Sequence, residues 1–509
     1  MKPVSPVHFL MVYPDFVEET KNNRNVPGNY SEGLASISAV LKEAGHTVSL
    51  LHLTYMPDRQ EFLSRVRQAG SDIVGFSVRT TAMPFVEAMA GWLDDELPDL
   101  YVTCGSYHPT LVPDEVLALR GVDNVCIGEG EYPLRDLCDS LRNEGRVRTD
   151  IPSMYFKLPD GTVIRNQIRP LIEDLDELPF PDLDLFDYQN LRTGRIHTAM
   201  VMVSRGCLFS CTYCGNSQFR NVYPNRKKYA RFRSPENAIR LVERILEKQP
   251  DTQYLEFRDA IFNMYEDWFY EFMPLYREKI HLPFNCNLRF DLMDERMVQT
   301  LAQGGCYMID IGLESGNSEM RSQYLHRHMK NDHMIEMTRW LRQYKITTCT
   351  YNIVGLPHET LSLALETVKL NAQMDVDRVI ANIFYPYPMT KLYDIAKEGG
   401  YIDPRVDPND KVQLRQPGFS RDDVLYISYR FLALMKKYRA LYALSEERRD
   451  RKIAALDKKI LSPLRPRALI WRWEAARTTF SRRLKRLLSK AAPAVYLKLR
   501  NRRIRALKK

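Results

Sequence analysis

Three cysteines could do chemistry together. Cys207, Cys211 and Cys214 lie in the stretch Val203-Ser-Arg-Gly-Cys-Leu-Phe-Ser-Cys-Thr-Tyr-Cys-Gly-Asn216, spaced Cys-x-x-x-Cys-x-x-Cys. Iron–sulfur clusters are commonly held by four thiolates. Three therefore leave one iron of a four-iron cluster open to a further ligand. The competing use is a structural zinc site, which needs four ligands, often as two Cys-x-x-Cys pairs. The next cysteines, Cys286 and Cys306, are far off in sequence, and His197 is the nearby candidate for a fourth ligand. The triplet fits an open-iron cluster better than a closed zinc tetrad.

Two runs of strand-then-helix pattern surround the triplet. Residues 7–144 alternate expected strands (Val7–Tyr13, Thr47–Leu53, Ile73–Val78, Tyr101–Gly105, Asn124–Gly128) with amphipathic stretches (Ser31–Ala44, Arg59–Ala69, Pro84–Glu96, Pro113–Leu119, Tyr132–Arg142). Such alternation predicts a Rossmann-like, flavodoxin-like α/β domain, a parallel sheet with helices on both faces. Ligands in these folds bind beyond the carboxyl ends of the strands. The residues expected there are Tyr13, Pro14, Ser77, Gly105, Ser106, His108, Thr110, Gly128, Glu129, Gly130 and Glu131. The small ones would let a large flat ligand approach the backbone. Residues 150–197 read as a Pro-rich connector. Residues 198–400 hold six more strand–helix units, which suits a partial (β/α)6 barrel of the TIM type with its site at the strands' carboxyl ends. The expected division is 1–149, 150–197, 198–421 and a helical region 422–509.

The same carboxyl ends carry a series of short motifs. Leu255-Glu-Phe-Arg-Asp259 ends the second barrel strand and Asn287-Leu-Arg289 the third. Gly312-Leu-Glu-Ser-Gly316, Asn352-Ile-Val-Gly-Leu-Pro357 and Tyr385-Pro-Tyr-Pro-Met-Thr390 end the next three. Each alone is an ordinary turn, because Gly and Pro are common there. Five in order, each at a strand end, point to a site. Lone histidines such as His52, His281 and His358 read as surface or satisfied core residues. Cys286, Cys306 and Cys349 read as buried small apolar residues.

With Tyr213 before the last cysteine and Gly215 after it, the triplet resembles the cluster motif of radical SAM enzymes. The N-terminal order Gly33-Leu34, Leu41-Lys-Glu-Ala-Gly-His46, Gly105-Ser-Tyr-His-Pro-Thr110, Gly128-Glu-Gly-Glu131 is similar to the cobalamin-binding domain that precedes many of them. Cys104 stands where that family commonly has Gly, and no Asp-x-His-x-x-Gly motif offers a lower histidine ligand to cobalt. The resemblance, over about residues 5–400, implies a 4Fe-4S cluster, S-adenosylmethionine (SAM) and cobalamin as cofactors. It puts Tyr213, Gly215, Asp259, Arg289, Glu314, Ser315, Gly355 and Pro357 around SAM. Pro386 and Pro388 are similar to the family's Pro-x-Pro-Gly-Thr, but Met389 replaces its Gly, which puts the local turn in question. The implied reaction is methyl transfer to an unactivated carbon or to phosphorus, started by a 5′-deoxyadenosyl radical. An oxidative cyclisation or rearrangement, as in anaerobic tetrapyrrole cyclases, is the alternative within the same cofactors. A non-catalytic electron-transfer protein is the alternative of another class, and the intact strand-end motifs speak against it.

Composition bounds the rest. The 509 residues are 44% hydrophobic and 27% charged, globular values. No run of about 18 apolar residues suggests a membrane span, and no leader is evident. Nine cysteines are too sparse for a disulfide scaffold and suit a reducing, cytoplasmic setting. The net charge of +9 is concentrated at the end. Residues 464–509 hold sixteen Lys or Arg and one acid, Glu474, a net of +15, which leaves the body at −6. Within this tail, apolar residues fall at 469, 473, 476, 480, 484 and 487, a helical stripe opposite basic residues. Such a helix could lie on an anionic membrane surface, or be a solvated helix partly packed on the barrel. No aromatic-basic strand module supports nucleic-acid binding. The expected partners are a small-molecule or lipid-like substrate and a flavodoxin- or ferredoxin-type electron donor.

Overall fold

The computed structural model describes residues 5–17, 20–407, 410–492 and 495. The chain divides into two compact units: residues 1–208 with 215–253, and residues 209–214 with 254–509.

In the first unit, β1 (His8–Pro14), β2 (Thr47–Leu53), β3 (Ile73–Ser77), β4 (Tyr101–Gly105) and β5 (Asn124–Cys126) are parallel, in the order β2-β1-β3-β4-β5. The central β1 is buried along Phe9-Leu-Met-Val12 because helices cover both faces. Leu10 and Val12 join one core with Val74 and Phe76, while Phe9 and Met11 join another with Leu34, Ala35 and Leu137. The order reverses between β1 and β3, so the ligand crevice expected of such sheets opens there.

The connector is more regular than its proline content suggests. β6 (Met154–Lys157) extends the same sheet antiparallel to β5, and β7 (Val163–Arg165) pairs antiparallel with β6. The turn Leu158-Pro-Asp-Gly161 joins them, with Gly161 at φ +85° and Leu158 N–H donating to Thr162 O at 2.8 Å. Strands of four and three residues are too short to show alternation. The unit also holds β8 (Thr198–Val201) and an antiparallel pair, β9 (Ser204–Arg205) and β10 (Arg231–Phe232).

In the second unit, β11 (Tyr254–Phe257), β12 (Phe284–Leu288), β13 (Cys306–Glu314), β14 (Thr347–Val354) and β15 (Arg378–Ile383) are parallel neighbours in chain order. Helices Glu266–Lys279, Glu295–Gln303, Asn331–Gln343 and Leu361–Gln373 separate them. These are five of the six strand–helix units expected of the barrel; the strand of the other, β8, lies in the first unit. Side-chain oxygens start two of these helices: Asp294 accepts from Met297 N–H and Thr360 from Leu363 N–H. An aromatic core forms between β11, β12 and helix Glu266–Lys279. Phe262 is fully buried there, its ring 4.8 Å from Phe257 and 5.6 Å from Phe272. Three further helices, Arg421–Tyr442, Glu446–Leu461 and Arg467–Ala491, follow. The first begins at a capping box between Ser420 and Asp423. The part of the basic tail at 493, 494 and 496–509 lies outside the described residues.

Replacing Phe262 by Ala empties the centre of this aromatic core. The variant should lose about 3–5 kcal/mol of stability, read as a lower denaturant midpoint of the second unit's transition.

Candidate cluster and cofactor site

The second unit brings four of the sequence-predicted residues to one point. Cys211 is buried, and two guanidinium groups face its sulfur: Arg289 Nη1 at 3.6 Å and Arg327 Nη1 at 3.7 Å. Arg289 leaves the end of β12 with its backbone N–H on Asn263 Oδ1, pairs with Asp291 through two 2.8 Å bonds, and lies 3.5 Å over the Phe209 ring. Burial alone would raise the Asp291 carboxyl; Arg289 brings it below the usual range. Tyr213 donates its hydroxyl to Glu314 Oε1 at 2.9 Å, and Arg327 reaches the same hydroxyl at 3.3 Å and Gly312 O at 2.5 Å. Burial raises the Glu314 carboxyl, and Arg327 and the Tyr213 hydroxyl pull it back. Two backbone features make room. Glu314 sits at φ +66°, and a Cβ on Gly312 would meet Glu314 Oε1 at 2.3 Å. The cysteine loop itself is tied down: Thr212 O accepts from Leu392 N–H at 3.0 Å and its hydroxyl donates to Tyr324 O.

The other strand ends form the surround. Asp259 is buried after β11, and its carbonyl accepts from Asn287 Nδ2 at 2.8 Å. Ser315 is turned inward, its carbonyl held by the fully buried Arg321 at 2.7 Å. Gly355 adopts φ +87° after β14, next to buried Pro357. Glu359 closes that turn by accepting from Gly355 N–H at 2.6 Å and Leu356 N–H at 3.1 Å. Burial pushes the Glu359 carboxyl up to about 8 against those two hydrogen bonds. Met389 takes φ +66°, so the turn keeps the left-handed shape that the missing glycine would favour. Its exposed side chain and Thr390, which caps helix Lys391–Glu398, let it stay there.

In the first unit, the predicted residues gather at the carboxyl ends of β1, β3, β4 and β5. Tyr13 stacks on His52 at 5.1 Å, and Pro14 O accepts from Arg79 at 2.8 Å. Ser77 and Gly105 are neighbours across β3 and β4. His108 and Thr110 lie in a short helix, Tyr107–Leu111. Ser106, at φ +86°, precedes it, and the buried His108 has its pKa lowered by desolvation. Thr110 Oγ1 donates to Ser106 O at 2.8 Å and accepts from Gly128 N–H at 3.0 Å. Gly215 begins helix Gly215–Val222. The Gly128-Glu-Gly-Glu131 turn is held by charge. Glu129 accepts from Arg205 at 3.0 Å, from both Nη atoms of Arg231 at 3.1 and 3.0 Å, and from Ile172 N–H. Glu131 accepts from Arg205 at 2.5 Å and from Ser36 at 2.7 Å.

Three residues that sequence reasoning missed organise these sites: Arg205, Arg231 and Arg327. Arg205 stands two positions before Cys207, yet nothing local marks it. Arg327, in Leu325-His-Arg-His328, follows no strand end directly.

The donor set fits an iron–sulfur cluster. Cys207 and Cys211 are buried and Cys214 is half-buried. Among the described residues no three His, Cys, Asp or Glu side chains converge closely enough for a single ion, as a zinc site would require. Each thiolate of a cluster binds a different iron and stands further from its fellows. The guanidinium N–H groups at Cys211 are of the kind that tune cluster potentials.

The sequence matches the radical SAM superfamily over residues 201–370 and the B12 binding domain over residues 29–138. It is 26% identical to an uncharacterized methyltransferase of Pyrococcus horikoshii over 72% of this chain and 78% of that protein. It is 23% identical to the anaerobic magnesium-protoporphyrin IX monomethyl ester cyclase of Rubrivivax gelatinosus over 75% and 69%. The solved radical SAM methyltransferase TsrM from Kitasatospora setae, with cobalamin and a 4Fe-4S cluster bound, superposes with a TM-score of 0.61 at 17% identity. That match covers 79% of this chain and 76% of the other, and it shows the shared fold. The chain belongs to the radical SAM enzymes that carry a cobalamin-binding domain. Its cofactors are a 4Fe-4S cluster, SAM and cobalamin.

The buried Glu359 gives a pH signature. Its folded-state carboxyl holds a proton up to about pH 8, whereas an unfolded chain's glutamate loses it near pH 4.3. Its contribution is therefore full below the unfolded value and is lost progressively as the pH rises to about 8. Glu359→Gln should remove that decline, so the variant's melting temperature gains on the wild type's between pH 6 and 8.5. A constant difference across that range would contradict the assignment.

Proposed function

We propose that this enzyme transfers a methyl group to an unactivated carbon, or to phosphorus, of a small-molecule or lipid-like substrate. One observation carries the reading: a cobalamin-binding domain and a radical SAM domain lie in one chain. The similarity to a methyltransferase over 72% of the chain supports it. When bound, the cluster would supply the electron for SAM cleavage and cobalamin would supply the methyl group.

The chain's own residues do the positioning. Cys207, Cys211 and Cys214 hold the cluster. Tyr213, Gly215, Asp259, Arg289, Glu314, Ser315, Gly355 and Pro357 form the SAM site, with Arg327 holding Tyr213 and Glu314 in place. Arg289 stacks on Phe209, holds Asp291 with Nε and Nη2, and turns Nη1 to the Cys211 sulfur. Cobalamin lies against Tyr13, Pro14, Ser77, Gly105, Ser106, His108, Thr110 and the Gly128–Glu131 turn. In that turn Gly128 and Gly130 pack closely on Tyr223 and Ile37, and Glu129 and Glu131 fix the turn through Arg205 and Arg231. The domains divide at about residues 149, 197 and 421. The electron donor is of the flavodoxin or ferredoxin type, and the enzyme works in the cytoplasm, held at a membrane surface through its basic C-terminal segment. Among the described residues, no helix is long and apolar enough to cross a membrane.

The similarity to the Rubrivivax cyclase supports a second reading, oxidative ring closure with the same cofactors. Under both, anaerobically reconstituted protein with SAM, cobalamin and a strong reductant yields 5′-deoxyadenosine. Cys211→Ala should abolish the cluster's visible absorbance and SAM cleavage together. Cleavage retained in that variant would refute the role given to Cys211.

A further inference from the structure

The helix Arg467–Ala491 is docked the opposite way from an ordinary amphipathic helix. Its sequence stripe, at 469, 473, 476, 480, 484 and 487, would be expected to pack on the protein. Instead the described part of that stripe faces outward: Leu469 is 67% exposed, Trp473 62% and Phe480 70%. The inward face holds Glu474, only 3% exposed, with Ile470, Trp471 and Ala475 partly covered. Polar latches fix this orientation on helix Arg421–Tyr442. Glu474 pairs with Arg430, Trp471 Nε1 donates to Asp422 at 2.8 Å, and Arg467 Nε lies 3.1 Å from Asp423. Trp471 also stacks on Tyr429. The latches hold the helix without using its apolar side.

Beside the start of this helix lies an open groove of about 460 Å³, lined by Lys458, Lys459, Ser462, Leu464, Arg465 and Pro466. Leu464 is 93% exposed at its rim. Cations and bare apolar side chains thus adjoin one another, at the start of a segment that carries a net charge of +15 over residues 464–509.

We propose that this surface docks on an anionic phospholipid bilayer. Leu464, Leu469, Trp473 and Phe480 enter the headgroup–acyl boundary, and Lys458, Lys459 and Arg465 bind lipid phosphate. The charge complementarity selects the occupant. A polybasic segment is drawn to anionic lipid, and a helix with Leu, Trp and Phe on one face and Arg and Lys beside them lies in the interface plane. Arg472 flanks the stripe and is exposed, and its long stem lets the charged head stay at the headgroups, whereas Arg477 pairs with Glu474 at 2.9 Å. This gives the membrane-surface part of the reading above a defined face, and it is independent of the reaction catalysed.

The test uses the full-length protein, sedimented with vesicles of phosphatidylcholine alone and of phosphatidylcholine mixed with phosphatidylglycerol. Wild type should pellet with the mixed vesicles and stay largely soluble with the neutral ones. The exposed-face variant Leu469→Ser/Trp473→Ser/Phe480→Ser should bind roughly tenfold more weakly or worse, with an unchanged melting temperature. Lys458→Gln/Lys459→Gln should reduce the preference for phosphatidylglycerol. Wild-type binding that the triple variant keeps, but removal of 482–509 abolishes, would overturn this face and leave simple adsorption by the basic tail. No binding by wild type would overturn both the face and the membrane reading. A wild-type dimer without lipid that the triple variant makes monomeric would assign the stripe to a second copy of the chain instead.

Discussion

Two carboxylates and two guanidinium groups share one buried space in the first unit. Glu129 and Glu131 come from the turn after β5, Arg205 from the strand that leads into Cys207, and Arg231 from the strand paired with it. Burying four charges is costly unless each is paired and hydrogen-bonded. Here they are: Ser36 and Ile172 N–H complete the acceptors. The arrangement cannot tolerate the loss of one member, because the remaining charges would lie uncompensated in a largely buried space. Its consequence is positional. The turn proposed to face cobalamin and the residue two before the first cysteine of the triplet are fixed to the same charges.

The second unit repeats the principle with fewer charges. Arg289 and Arg327 converge on Cys211, and Glu314 and Tyr213 complete the set. The backbone bends to allow it. Glu314 adopts a left-handed conformation that costs a non-glycine residue about 1–2 kcal/mol. Such strain persists where the surroundings over-determine it, and it clusters at functional sites. Gly312 belongs to the same device, since any side chain there would displace the Glu314 carboxylate.

What could be read from sequence follows the range of the interactions. The triplet, the strand-end glycines and prolines and both alternating runs are local patterns; the structure brings the glycines and prolines to the carboxyl ends of parallel strands, while the triplet follows the two-residue β9, which pairs antiparallel with β10. Arg205 and Arg327 were invisible because their partners lie 74 and 114 residues away, at Glu131 and Tyr213. The β6–β7 hairpin was missed because strands of three or four residues carry too little period. The C-terminal helix shows a subtler limit. Its period was legible, and periodicity marks an apolar stripe without saying which side the protein occupies. The polar latches at Asp422, Asp423 and Arg430 decide that, and they belong to another helix.

Methyl transfer and cyclisation differ in one respect that needs no knowledge of the substrate. A methyltransferase must reload its cobalamin from SAM. Protein holding reduced cobalamin should be mixed anaerobically with SAM labelled in its methyl group, with no substrate present. The account predicts S-adenosylhomocysteine in about a one-to-one ratio to bound cobalamin, with the label retained in the corrinoid fraction. Formation of 5′-deoxyadenosine under reducing conditions with no S-adenosylhomocysteine would contradict methyl transfer and favour ring closure or rearrangement.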